Sequence, residues 1–169
     1  MSYPWLSIGL QYEGMREVPG PGVNAALRDM WAGLPGGPWF WKHYGEDDSK
    51  LPWCGAFAAL CMKKAGVTLP KRYSSALGWL EWGSPLHTPT EGAVAVFKRA
   101  GGGHVGFVVG QDQYGRLLVL GGNQNDSVSV APFDSGRIVG YRWPPGVPRP
   151  AVFTLPTMAH SGAVSRNEA

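Results

Sequence analysis

Cysteine is scarce in this chain, with two residues, Cys54 and Cys61, among 169. Two thiols cannot build a disulfide scaffold, and their separation of seven positions is wider than the gap of a zinc-binding cysteine pair. If the segment between them is helical, their alpha carbons stand roughly 10 Å apart, beyond the roughly 7 Å that a disulfide spans. Charge is sparse too, at 16% of residues, with a net +3 and a pI near 9.0. That mild excess suits an anionic polymer, yet no run of Lys or Arg marks a groove for nucleic acid, and none is expected as a partner. No stretch reaches the roughly 18 apolar residues of a membrane span. The opening MSYPWLSIGLQYEG lacks the basic start and apolar core of a secretory signal. The expectation is a protein made in the cytoplasm without a signal peptide and without stable membrane insertion. The four histidines, His43, His87, His104 and His160, show no HExxH-like pairing, which tells against a zinc amidase.

Apolar and turn-forming residues are plentiful. Hydrophobic residues make up 44% of the chain and eight of them are tryptophan, enough for one globular domain with a real core. The 25 glycines and 15 prolines are spread among patterned segments and read as many turns rather than disorder. The first half has helical texture. Residues 3–13 form a short helix, a turn follows at 19–22, and Asn24 caps a second helix that runs through Trp31 to the Gly33 region. Residues 35–50 read as a loop whose Glu46, Asp47 and Asp48 make a solvated turn without EF-hand spacing. Residues 52–66, PWCGAFAALCMKKAG, carry one apolar stripe of Cys54, Phe57, Ala58, Cys61, Met62 and Ala65. Pro52 suits the first turn of that helix, Lys63 and Lys64 its negative end, and Gly66 its stop. Residues 74–82 make another short helix, capped by Ser74 or Ser75.

From Gly92 onward the texture changes. Segments 92–98, 104–110, 116–120, 127–131 and 138–143 are short, rich in valine and aromatics, and separated by turn residues, as antiparallel strands are. Helices first and strands second give an α+β domain, with the cysteine helix packed on a small antiparallel β-sheet.

Cys54 falls at the first turn of its helix, where free amide hydrogens and the positive dipole end lower a thiol's pKa and favour the nucleophilic thiolate. The competing reading of any free cysteine is a small buried hydrophobe, and Cys61 takes that one. His104 follows three glycines and opens a strand, where it can face a thiol; alone it would read as a polar surface residue. Gly121, Gly122, Asn123 and Gln124 end the next strand, either as a plain turn or as the source of an amide that holds the histidine by Nδ1. Nucleophile, base and orienter on neighbouring elements make a cysteine-hydrolase constellation.

Together, PWCGAF, EGAVAVF, GGHVGFVVG, VLGGNQNDSVSVAPF and IVGYRWP, in this order and over about residues 5–144, resemble the phage-type CHAP and NlpC group of papain-like peptidoglycan hydrolases. The resemblance implies a papain-like fold with Cys54 as nucleophile, His104 as base and Asn123 as orienter, Gln124 being the less favoured occupant of that place. It implies acyl transfer, the oxyanion held by the Cys54 amide and one further donor. The glutamine that papain-like enzymes place ahead of the cysteine is missing, and Tyr44 is a candidate for its role. The implied substrate is an amide of bacterial peptidoglycan, either a stem-peptide bond or the N-acetylmuramoyl-L-alanine link, and Trp39, Trp53, Trp79, Trp82 and Gln124 are candidates to line its groove. Some members hold calcium through carboxylates on both sides of the cysteine. Here Asp47 and Asp48 precede it but Ala56 and Phe57 follow it, so no metal and no cofactor is expected.

The expected protein is a monomeric endolysin that reaches the periplasm or wall after release or delivery. Rival readings are a non-catalytic wall-binding or phage structural protein on the same fold, and a delivered antibacterial effector with the same chemistry. The catalytic domain is expected to span 1–144. Residues 145–169 form an extended Pro-rich tail, since five prolines among positions 144–156 forbid a continuous helix or central strand. If Cys54 is the activated thiol, iodoacetamide should label it well ahead of Cys61 in the native protein; equal labelling, read by peptide mass spectrometry, would count against the assignment.

Overall fold

In the computed structural model, residues 3–167 are described. Four helices come first: α1 (Pro4–Leu10), α2 (Ala25–Ala32), α3 (Gly37–His43) and α4 (Cys54–Lys64). Six strands follow: β1 (Ser84–Leu86), β2 (Val94–Arg99), β3 (Gly102–Gln111), β4 (Leu117–Gln124), β5 (Ser127–Phe133) and β6 (Ile138–Trp143). All pair antiparallel in the order β1-β6-β2-β3-β4-β5. The α+β expectation holds.

Local chemistry accounts for most boundaries. Asn24 caps α2 by accepting from the Ala26 amide, and Gly33 follows its last residue. Three expectations need correction. The segment read as a loop at 35–50 contains α3: Gly36 in the left-handed region and a proline in the first turn start it, and Gly37 lies so close to the Trp31 carbonyl that no side chain fits. Aromatic residues between glycine and proline hide so short a helix from pattern reading. Asp47 and Asp48 are buried instead of solvated, because Asp47 caps the turn at Asp48–Lys50 and Asp48 accepts the amides of Val18 and Asn24. The segment at 74–82 is a 3₁₀ turn, Ala76–Glu81, with no side-chain cap.

The cysteine helix is more central than a single stripe suggests. Every residue from Cys54 to Met62 is buried, Pro52 precedes the helix, and only Lys63 and Lys64 emerge. It lies on β3 and β4 on one side and against α1 and α2 on the other. Such enclosure leaves little room beside its first turn. A methyl on Gly55 would overlap the Tyr73 carbonyl oxygen and stand 3.0 Å from that of Ser74.

The sheet is strongly curled. β2 and β5 are separated by β3 and β4, so in a flat sheet they would stand roughly 14 Å apart. Yet the rings of Phe97 on β2 and Phe133 on β5 meet with centroids 4.6 Å apart. The curl is assisted by register shifts at Val96/Phe97, Val108/Gly110 and Gly121/Gln124, since bulges bend and twist a strand.

Beyond β6 the chain is extended, as the prolines require, but it is held. The Glu91 amide donates to the Thr154 carbonyl, the Gln111 amide donates to the Pro156 carbonyl while the Gln111 carbonyl accepts from Met158 around a parallel bridge at Thr157, and the Ser165 amide donates to the Pro132 carbonyl. His160 belongs to this framework, its ring bonded to the Val130 carbonyl and the Gly162 amide. A Gly55→Ala substitution is expected to cost about 1–3 kcal/mol through overpacking. Gly102→Ala, with open space at that position, should stay within about 0.5 kcal/mol. Urea midpoints of the two variants check this.

Candidate active site

The site is built where β3 and β4 part. Their regular pairing runs from Gln111↔Leu117 to Phe107↔Leu120 and stops there. Past that point β4 presents two glycines. Gly122 lies against α4, where a Cβ would stand 2.6 Å from the Phe57 Cβ and 2.7 Å from the Trp53 ring. Gly121 lies against the imidazole, where a Cβ would stand 3.1 Å from His104 Nε2. The Cys54 sulfur reaches this opening, near enough to the backbone N–H of Val105 for that group to favour its thiolate. Val105 is the residue after His104, so the helix start brings the thiol to the strand that carries the histidine.

His104 is fully buried, 0% exposed. Its ring stacks on Phe133 with centroids 5.4 Å apart and planes 3° from parallel, and tilts against Phe97 at 5.9 Å. Its Nε2 lies 3.0 Å from Gln124 Oε1. The amide of Gln124 is itself pinned, its Nε2 donating to the Val119 carbonyl at 3.3 Å, to the Ser129 carbonyl at 2.8 Å and to Ser129 Oγ at 3.0 Å. Those acceptors turn Oε1 toward the histidine, and a carbonyl oxygen only accepts, so Nε2 carries the ring hydrogen and Nδ1 keeps the lone pair.

Sequence reasoning favoured Asn123 for this contact and Nδ1 as the nitrogen held; the structure puts Gln124 there, on Nε2. The reason is the register. Continued regularly, β3 and β4 would set Asn123 opposite His104. Instead Asn123 adopts a left-handed φ of 58° within the irregularity between Gly121 and Gln124, and Gln124 turns to the ring. Asparagine tolerates that conformation better than most residues. The side chain of Asn123 lines a small cavity of about 50 Å³ with Glu17, Asp48 and residues 49–52.

The helix start was expected to lower the Cys54 pKa, and here the balance differs. Burial, with the residue 6% exposed, pushes the thiol up; the N–H groups of Val105 and Gly55, the charge of Arg99 and the residue's own amide pull it down without overcoming that. Burial raises Cys61 as well, and no strand amide offsets it.

Other candidates separate clearly. Trp79 and Trp82 are core residues whose indole N–H groups donate to the Tyr73 and Thr68 carbonyls, so neither presents a face to a groove. Trp53 is also buried, its indole donating to Glu17 at 3.0 Å. Trp39 is 62% exposed and stacks on His43, and Tyr44, 39% exposed, packs edge-on to the same ring. No described contact brings Tyr44 to Cys54. Phe97, Phe133 and Arg99 were not anticipated: Phe97 and Arg99 depend on the register of β2 on β3, which sets Phe97 opposite His104, and Phe133 on the curl that draws β5 over.

Glu17, beside the small cavity, has its pKa raised by burial and by Asp126, Asp48 and Asp47, against the opposing hydrogen bond from Trp53. This acidic corner does not fit calcium. Asp47 is occupied by its cap and by Lys50, the two amides on Asp48 share its Oδ2, and no group of three or more His, Cys, Asp or Glu side chains among the described residues is arranged to hold a metal ion.

The thiol and the imidazole fall within a family match, and Gln124 lies one residue past its end. Residues 46–123 match the family model described as the CHAP domain. The chain is thus similar to that domain over 78 of its 169 residues. That domain points to a peptidoglycan substrate and to peptidoglycan hydrolysis in general, the work of cysteine hydrolases. The matched segment contains α4 with Cys54, β3 with His104, and most of β4. No curated protein matches the chain.

If Gln124 positions His104, Gln124→Ala should lower kcat on the order of 10²-fold, at the low end of what a positioned general base contributes. KM should hardly change, and the acid limb of the kcat profile should move. Gln124→Glu should restore much of the rate, because a carboxylate also accepts from Nε2. Asn123→Ala should leave that limb in place, and steady-state kinetics at a series of pH values separates the two.

Proposed function

We propose that the protein is a thiol peptidoglycan hydrolase that cleaves an amide bond of the bacterial wall, with Cys54 as nucleophile, His104 as base and Gln124 as the residue that positions the base. The observation that carries this reading is the anchored Gln124 amide, which leaves Nδ1 as the basic nitrogen of an imidazole whose next residue, Val105, turns its N–H to the thiol.

The step sequence follows from those positions. Nδ1 takes the Sγ proton as sulfur bonds to the amide carbonyl carbon. The carbonyl oxygen becomes an oxyanion and is held by the Cys54 amide, a first-turn N–H that no helical bond uses. The C–N bond then breaks as the imidazolium returns its proton to the leaving amine, and water, deprotonated by the same nitrogen, hydrolyses the thioester. Either the stem-peptide bond or the muramoyl-alanine amide satisfies this chemistry. The protein would act in the periplasm or on the wall, after release as an endolysin or delivery as an effector.

Purified sacculi test the reading. Wild-type protein should release soluble muropeptides whose masses identify the new amine and carboxyl ends, and Cys54→Ala should lower the rate by at least about 10³-fold. Release that survives the substitution would sink the thiol mechanism. No release from either protein would favour a binding module instead.

The pH dependence has a defined sign. Because burial raises the thiol above its ordinary value of 9.0, the sulfur keeps its proton further into the alkaline range. The profile of kcat/KM should rise on an imidazole limb and hold its plateau past that value before the alkaline fall. A fall centred well below it would mean that the imidazolium and the amides win over burial.

A further inference from the structure

We propose that Arg99, Arg137 and Arg166 form an anion subsite at the edge of the thiol site, and that its occupant is a free carboxylate of the peptidoglycan stem peptide; the identity of the occupant rests on the hydrolase reading above. The three side chains line one surface cavity of about 340 Å³, with Ala100, Asp134 and Val164 completing the wall. That volume has room for a carboxylate-bearing side chain.

Two contacts tie the cavity to the chemistry. Arg99 donates through Nε to the carbonyl of Gly103, the residue before His104, at 3.3 Å. Arg137 lies over the face of Phe133, 5.8 Å from its centroid, and the same ring stacks on His104. The charge of Arg99 is also felt at the Cys54 sulfur. Arg166 comes from the extended C-terminal segment, which is fixed at this place by the bond from Arg137 to the Ser165 carbonyl and from the Ser165 amide to Pro132.

Charge and geometry favour an anion. Three guanidinium groups face one carboxylate, and one oxygen of that carboxylate, Asp134 Oδ1, is occupied in capping the turn at Ser135–Arg137 through the Gly136 amide. Arg99 spends one of its five N–H donors on Gly103. Planar guanidinium forks match a carboxylate in two parallel bonds, and a stem peptide carries free carboxylates close to its amide bonds. The tail thus supplies part of the site instead of merely trailing from the domain.

The test is binding, independent of turnover. Calorimetric titration of the Cys54→Ala protein with a soluble stem peptide should show at least a tenfold preference for the free acid over the same peptide with its carboxylates amidated. Adding Arg99→Gln and Arg166→Gln should reduce the acid's affinity to that of the amide and leave the amide's unchanged. Equal affinity for acid and amide in the parent, or equal loss of both in the variant, overturns the proposal. So does displacement of the peptide by inorganic phosphate as readily as by acetate, which would mark a general anion pocket. Should the double substitution lower the thermal midpoint, Arg166→Gln alone is the test, with at least a threefold selective loss expected. Digestion of sacculi by wild-type protein, with no selective binding, would leave the hydrolase reading standing and remove the subsite. Selective binding without digestion would do the reverse.

Discussion

The hydrogen bond between His104 Nε2 and Gln124 Oε1, at 3.0 Å, is the constraint on which the site depends. It decides which ring nitrogen is basic, and it exists only because three features of β4 agree. Gly121 leaves space beside the imidazole, Asn123 absorbs a left-handed turn of the chain, and Ser129 on β5 takes both hydrogens of the glutamine amide. Were the amide free to flip, its NH₂ would face Nε2 and the opposite tautomer would be favoured, with Nδ1 protonated and useless as a base. The sheet edge therefore acts on the thiol without touching it.

Burial is the cost that this arrangement carries. A dry thiol in a tight wedge resists ionisation, and the amides of Val105 and Gly55 recover only part of what desolvation removes. On the proposed mechanism the thiol ionises only as its proton passes to the imidazole. The same enclosure, with Phe97 and Phe133 closing on the ring, keeps water away from the imidazole and strengthens its bond to Gln124.

Periodicity made the fold class, the cysteine helix and five of the six strands legible, because valine-rich alternation and an uninterrupted apolar helix are local signals. The positions of Cys54 and His104 were legible for the same reason, each lying at the end of a readable element. The orienter was not. Asn123 and Gln124 are neighbours with the same functional group, and which one meets the ring is decided by a two-residue irregularity that leaves no pattern in sequence. Asp47 and Asp48 misled because charged residues in a short run usually stay wet, whereas here backbone amides 24 and 30 positions away take Asp48 inside. Trp79 and Trp82 looked fit for a groove only because an indole reads alike in a core and on a surface.

The curl of the sheet has a consequence for substrate orientation. By drawing β5 over to β2, it carries Arg137 and the C-terminal segment to the side of His104 where Arg99 already stands, and positive charge accumulates there. In a separate small cavity, Glu17 and Asp48 gather beside Asn123 and the residues that lead into Cys54, and burial, with added repulsion from Asp126, Asp48 and Asp47, raises the Glu17 pKa. On the proposed reading, a zwitterionic stem peptide would meet acid at one of these places and arginine at the other, and that asymmetry would favour one direction of binding over its reverse.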